Sequence, residues 1–400
     1  MFQEERTVKQ NKWSCTISYT LLHIATWGFY AVVMCFSSNV LYGFRFTDSQ
    51  ISLVLSVSTV VAFVLQLVLA ELVTRWRNLK VYMVLLILGT VMLVGNLLVM
   101  MPQMPKALAV GAYAVACMVL QMIPSFTNAM GMGAIERGSA TSYSIARGMG
   151  SLGYSVLAYI TGILVRQQGV EVVPVVAIGV AVTMIGSVIW FYMVAERNLP
   201  DIGASKKKVD YQAGFLKQYP RFAVFLLAMI LLQFSHNLLC NFMFQIMQVK
   251  NGTAAEQGVA TAISALVELP VMFFFTFMMR KLRCDKWVRI AGLAMALKAI
   301  GILLATNPYG VYVAQATQIV GYGLLTIASV HYARLVVGMG ESVRAQSYLG
   351  STGTVGAWAA LSTGGVICQY WGAQTMVLVS LILSLVGGLM ILLTAQKTEF

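Results

Sequence analysis

The sequence predicts an all-α integral membrane protein: twelve transmembrane helices in two pseudo-symmetric six-helix bundles. Of its 400 residues, 59% are hydrophobic and only 10% are charged, whereas soluble domains carry about 25% charged residues. Apolar segments long enough to cross a hydrocarbon core, which takes about 20 helical residues, occur at 17–42, 48–73, 81–101, 107–132, 141–165, 172–195, 222–248, 257–279, 288–306, 311–333, 346–370 and 375–396. The longest polar interruption, ERNLPDIGASKKKVDYQAGFLKQYPR at 196–221, divides them into an N-terminal bundle (1–195), a linker (196–221) and a C-terminal bundle (222–400).

The first span follows the polar stretch MFQEERTVKQNKWSC. It is longer than the apolar core of a signal peptide and no A-x-A-like cleavage site follows it, so it is expected to stay in the mature chain. The formal charge of +13 suggests a nucleic-acid binder until the cations are placed on the spans. Counting Arg289, at the edge of span nine, with the N-terminal side, twenty-one Lys and Arg fall on the side of the N-terminus, four on the other side (Arg45, Lys106, Arg166, Lys250) and two deeper within spans (Arg147, Lys298). By the positive-inside rule, both termini and the linker are expected in the cytoplasm, with the protein in the plasma (inner) membrane. The charge excess then reports topology, and no nucleic-acid partner is expected.

Glycines at 150, 153, 162 and 169, in and after span five, match glycines at 353, 356, 365 and 372, in and after span eleven, each pair 203 residues apart. That spacing suggests a duplicated six-helix unit. Parallel repeats of this kind build one large class of secondary transporters, whose solute sites lie near the membrane midplane where the halves meet. GMGSLG at 148–153 satisfies a dinucleotide-loop pattern, but it lies inside a span and follows no strand. The cysteines (15, 35, 117, 240, 284, 368) include no CxxC, and His23, His236 and His331 lie on three different spans. No disulfide framework, metal or other cofactor is therefore expected. NGT at 251 is a glycosylation sequon only where the host glycosylates that face.

Apart from Asp48, Glu71 and Arg289 at span ends, six charged or histidine side chains fall inside spans: His23, Arg147, His236, Glu268, Lys298 and His331. A charge at a helix centre costs about 2.5–3.5 kcal/mol on insertion scales and normally faces a bundle interior or a watery cavity, so these residues are the candidate site. Glu268 lies mid-span in ISALVELPVMFFFTF, and Pro270, two residues on, removes a backbone donor and should bend span eight beside the acid. Gln233, Asn237, Asn241 and Gln245 recur every four residues on span seven, beside His236, giving one slowly rotating helix face rich in donors and acceptors. His23, Trp27, Tyr30 and Ser37 are expected to share a face of span one, and Gln315, Gln318 and Tyr322 a face of span ten. Charged groups on both halves and three polar faces suit a hydroxyl-rich or heterocyclic solute. The structural alternative, ion pairs and helix-to-helix glue, remains open at this point.

The layout of two six-span halves resembles the major facilitator superfamily. Within it, ARGMGSLG in span five and VELPVMFFF in span eight are similar to segments of the oligosaccharide:proton and nucleoside:proton symporter branches, of which lactose permease is the familiar member. The resemblance implies that Arg147 and Glu268 hold substrate hydroxyls and that Lys298 stands where the permease has an arginine tied to proton coupling. The chain departs from the family pattern at the loop after span two, AELVTRWRNLK, with Thr74 in place of the usual aspartate and Arg77 in place of a glycine. On span four the permease's acid is absent, and Asn128 and Ala129 stand nearby. Asn128 joins the substrate-side candidates on that ground. The drug-antiporter motif of span five is also absent, since no proline lies between Gly148 and Gly169.

The leading expectation is thus a monomeric secondary transporter of a small polar solute, a sugar or oligosaccharide or a nucleoside, working in symport with protons through Glu268 and Lys298. A carboxyl in a low-dielectric cavity is neutral when alone and ionised beside a cation, so making and breaking such a pairing would load and release a proton. The runner-up is facilitated diffusion or exchange of an organic anion, because two intramembrane cations face one carboxylate. Drug efflux is third. No nucleophile, metal or phosphate loop supports an enzyme.

Overall fold

The computed structural model describes residues 12–76, 79–101, 103–197, 199, 214–337 and 342–398. Most of the linker 196–221, including 200–213, and Arg77 of the loop after span two lie outside the described residues. Among these residues, eleven helical segments are long and apolar enough to cross a membrane. The last, Ala345–Thr394, has 50 residues and would be about 75 Å long as one helix, more than twice a hydrocarbon core of about 30 Å. It is broken by Gly372 at φ 84°, ψ 159°, so it makes two spans and the total is twelve.

In chain order the helices are α1 (Lys12–Phe29), α2 (Ser37–Gly43), α3 (Asp48–Arg75), α4 (Val81–Val99), α5 (Lys106–Glu136), α6 (Tyr143–Gln168), α7 (Val172–Phe191) and α8 (Phe215–Gln218). They continue with α9 (Pro220–Asn241), α10 (Met243–Val249), α11 (Ala254–Leu266), α12 (Glu268–Met278), α13 (Cys284–Leu304), α14 (Pro308–Ala316), α15 (Tyr322–Val337) and α16 (Ser342–Thr394). Several expected spans are therefore not single helices. Span one is α1, a π-helical turn at Tyr30–Met34, and α2. Span seven divides at Phe242 (φ −108°, ψ 26°). Span eight divides at Val267, where Pro270 has no N–H to offer the carbonyl of Leu266. Span ten is α14, a 3-10 turn at Thr317–Ile319, and α15.

The chain forms two compact units. Among the described residues, the first falls within 1–34, 58–157 and 171–208, and the second within 35–57, 158–170 and 209–400. In the first unit, Tyr19 of α1 donates to the Thr127 carbonyl of α5 at 3.2 Å, and Thr26 and Thr127 share a hydroxyl bond at 2.9 Å. Arg137, after α5, pairs with Glu196, after α7. In the second unit, Phe222, Phe225 and Tyr332 form part of a buried aromatic core. The fully buried Asp285 at the start of α13 takes two hydrogen bonds from Arg283, at 3.0 and 3.1 Å, and ties down Thr398 beyond α16.

The 203-residue glycine repeat recurs as geometry. Gly169 and Gly372 both end a helix in the left-handed region, at φ 87° and 84°, where a side chain is costly. A Cβ on Gly153 would lie 2.8 Å from Ile24 of α1, and one on Gly356 would lie 2.5 Å from Gln233 of α9. Within the second unit, Gly162 of α6 lies against the Ala254 carbonyl and Gly258 of α11, and Gly365 of α16 against the Asp48 carbonyl and Ser52 of α3. At the latter contact Gly365 N–H donates to Ser52 Oγ at 2.8 Å. Small residues let helices meet backbone to backbone, which is how packing in lipid is gained. The fourth pair shares no such role: Gly150 faces Trp27, while nothing lies within 4 Å of a Cβ on Gly353.

A Cβ on Gly365 would lie 2.0 Å from the Asp48 carbonyl, so Gly365→Val is expected to lower the stability of the detergent-solubilised chain by about 1–3 kcal/mol or more. Gly353→Ala should leave the thermal midpoint unchanged or slightly raised, because alanine is the better helix former by about 1 kcal/mol. Equal losses at both positions would remove close approach as the reason for the repeat.

Candidate functional site

The helix breaks of spans eight and ten set the chemistry of the second unit. Glu268 is the first residue of α12, and Gln318 sits in the 3-10 turn before α15. Gly323 allows the two segments to touch, since a Cβ there would lie 3.0 Å from Glu268 Cγ and 3.3 Å from the Gln318 carbonyl. From α13, the Lys298 ammonium, 5% exposed, donates to Gln318 Oε1 at 2.6 Å. The same side chain's Nε2 donates to Glu268 Oε1 and, at 3.4 Å, to the Ser264 carbonyl. One amide thus bridges a cation and a carboxylate, and the charges fix which end faces which partner. Lys298 also reaches Cys240 Sγ at 3.7 Å, and that thiol lies 3.4 Å from His236 Nε2. His236 is stacked on Tyr322, ring centroids 3.5 Å apart and planes within 1°. Ser235, His236, Lys298, Thr317, Gln318 and Tyr322 line a small recess.

The first unit carries a separate cluster on α1, α5 and α6. Arg147 lies over the Trp27 indole, with its guanidinium carbon 4.3 Å from the ring centroid, and donates to Ser151 Oγ at 2.8 Å. A guanidinium on an indole face is a cation–π contact worth about 0.5–2 kcal/mol. Trp27 and Tyr30 are ring neighbours at 5.6 Å. His23, 1% exposed, is held edge-on between Tyr19 (4.6 Å) and Tyr143 (5.8 Å). Both of its ring nitrogens, like the Trp27 N–H, are buried without a hydrogen-bond partner. Tyr143 in turn donates to Asn128 Oδ1 at 3.5 Å.

A sequence profile described as the MFS_1 like family matches residues 16–384. The chain belongs to that family. It is a major facilitator superfamily secondary transporter and not an enzyme. Among solved structures, the fold is similar to that of the nucleoside transporter NupG, with a TM-score of 0.76 and 13% identity over 96% of this chain and 100% of that one. It also resembles a peptide transporter, POT, solved with alafosfalin (TM-score 0.68, 10% identity, 100% and 98% covered). A POT family transporter solved with 5-aminolevulinic acid scores 0.66 at 11% identity, with 96% of each chain covered. No curated protein sequence matches.

In this facilitator-family chain the expected polar faces are only partly realised. Asn237 donates to the Gln233 carbonyl at 2.9 Å and Asn241 to Asn237 Oδ1 at 3.3 Å, so these amides climb one side of α9. Gln245 leaves that row: beyond the break at Phe242 it bonds Ser38 (3.2 Å) and Asp48 (3.0 Å). Gln315 separates from Gln318 and Tyr322 because the 3-10 turn interrupts the helical period, and it bonds Met243 Sδ at 3.7 Å instead. His331 packs on Phe275 at 5.3 Å. Cys240, Ser264, Ser151 and Tyr143 belong to these clusters and were not expected. Two had a signal, since Cys240 is four residues after His236 and Ser151 four after Arg147.

Because Lys298 and Glu268 act through Gln318, their substitutions should be coupled. Lys298→Met alone is expected to cost stability, by analogy with broken buried pairs, of up to about 3–5 kcal/mol. In the Lys298→Met, Glu268→Gln double variant the loss should fall short of the sum by about 0.5–3 kcal/mol. Strict additivity in a double-mutant cycle, measured by unfolding in detergent, would show that the bridge transmits nothing.

Proposed function

We propose that this transporter moves a small polar solute, a sugar, an oligosaccharide or a nucleoside, in symport with a proton, exposing its site to one side of the membrane and then the other. The observation that carries this reading is the amide-bridged set Lys298–Gln318–Glu268, held where two spans are broken. Broken spans in transporters commonly mark solute and coupling-ion sites. Glu268 is the proposed proton carrier, and Lys298 senses its charge through Gln318. When the carboxylate takes a proton, the Gln318 amide loses an ionic acceptor, which is roughly twice as strong as a neutral one, and its hold on the Lys298 ammonium changes with it.

On the same reading, His236, Asn237, Asn241, Gln233 and Tyr322 supply solute contacts in the second unit, and Arg147, Trp27, Tyr30, His23 and Asn128 supply them in the first. A fork of donors such as the Arg147 guanidinium suits neighbouring hydroxyls. The protein acts as a monomer in the plasma membrane, with the termini and the 196–221 linker in the cytoplasm, as the cation distribution supports.

In proteoliposomes screened with labelled lactose, uridine and glucuronate, Glu268→Gln should keep solute exchange but lose uphill uptake driven by a pH gradient. Proton-driven accumulation surviving in that variant would unseat Glu268. If the parent chain exchanges glucuronate and shows no pH-driven uptake of any probe, the organic-anion alternative replaces the symporter.

Orientation has its own test. A cysteine placed at Ser205 should be labelled by an impermeant maleimide only from the cytoplasmic side. Labelling in intact cells would reverse the topology.

A further inference from the structure

We propose that Gln318 is an internal stand-in for the solute: Lys298 and Glu268 form a donor–acceptor pair that reads an amide edge, –C(=O)–NH–, and in this conformation the Gln318 side chain fills it. The inference rests on the reading of this cluster as part of the transport site.

Both polar ends of the Gln318 amide are engaged by groups of opposite charge. The ammonium of Lys298 meets the carbonyl at 2.6 Å, and the carboxylate of Glu268 accepts from the nitrogen. The two partners come from different helices, α13 and α12, so their spacing is set by the fold and matches one planar amide. A lactam or ureide ring, such as an oxo-pyrimidine, presents the same acceptor and donor side by side. Neighbouring sugar hydroxyls can also offer an acceptor and a donor, but on rotatable groups rather than in the fixed plane of an amide.

The backbone carrying Gln318 suits displacement. Gln318 lies in a three-residue 3-10 turn, followed by hydrogen bonds from Val320 and Gly321 to the single Thr317 carbonyl, a short segment whose backbone can adjust without disturbing a long helix. Next to the amide, the His236 and Tyr322 rings, stacked face to face, line the recess. A planar heterocycle entering as Gln318 swings away would sit beside that stack and take over both hydrogen bonds. Gln318 would then compete with solute rather than help to bind it.

The test is equilibrium binding of labelled uridine to the full-length chain purified in detergent, with 3-methyluridine and lactose as competitors. 3-Methyluridine keeps the ribose and both carbonyls but lacks the ring N–H. Gln318→Ala removes the internal competitor, and Gln318→Met does so while preserving bulk. Both are expected to bind uridine about tenfold more tightly than the parent, with 3-methyluridine and lactose competing at least about tenfold more weakly than uridine; each factor of ten corresponds to 1.4 kcal/mol. Weaker uridine binding in both variants would make Gln318 a solute ligand or a structural bridge and overturn the inference. So would equal competition by 3-methyluridine, or no uridine binding at all. Uphill uptake of lactose by a chain that ignores uridine would sink this inference while leaving the transport reading intact, whereas persistent proton-driven uptake in Glu268→Gln would sink the coupling assignment alone.

Discussion

Every peptide group of this chain that lies in hydrocarbon must find its hydrogen-bond partner inside the protein, because lipid offers none. A continuous helix meets that demand by itself. Each interruption must be satisfied by neighbouring side chains or carbonyls, so interruptions are placed where other groups can serve them. Breaks at Phe242, Val267 and Thr317–Ile319 all fall in the second unit. Two of them deliver Glu268 and Gln318 to each other, and Gly323 keeps that approach open. The cost of the breaks is what gives the site its irregular, polar interior.

Electrostatics then decides the orientation of the groups. An amide between an ammonium and a carboxylate has one stable orientation, and it transmits a change at one end to the other. A direct Lys–Glu ion pair would hold both charges more rigidly. Placing Gln318 between them leaves a neutral group bridging the two charges. In the first unit, Arg147 is held differently, by the Trp27 face and the Ser151 hydroxyl, and the buried, unpartnered nitrogens of His23 and Trp27 leave polar capacity beside it.

The repeated glycines show how a one-dimensional pattern becomes a packing rule. Two glycines at a fixed offset, Gly169 and Gly372, end helices with similar positive φ, and two further pairs let a neighbouring helix approach closely. Gly353 is the exception that separates position in the repeat from function in the fold: it keeps the spacing yet meets nothing.

The sequence by itself determined the membrane setting, the number of spans and the residues that carry charge inside them. These follow from burial cost, which depends on residue type and run length and needs no knowledge of neighbours. The bend at Pro270 was legible for the same reason, since a missing N–H is local. Only the tertiary structure decided which polar residues meet. Gln245 and Gln315 keep a helical spacing in the sequence yet leave their rows, because the period is lost at Phe242 and at the 3-10 turn. Conversely, Gln318 gains its importance from Lys298, 20 residues away, and Glu268, 50 residues away. Such pairings depend on how three separate helices pack, and periodicity within one helix carries no record of that.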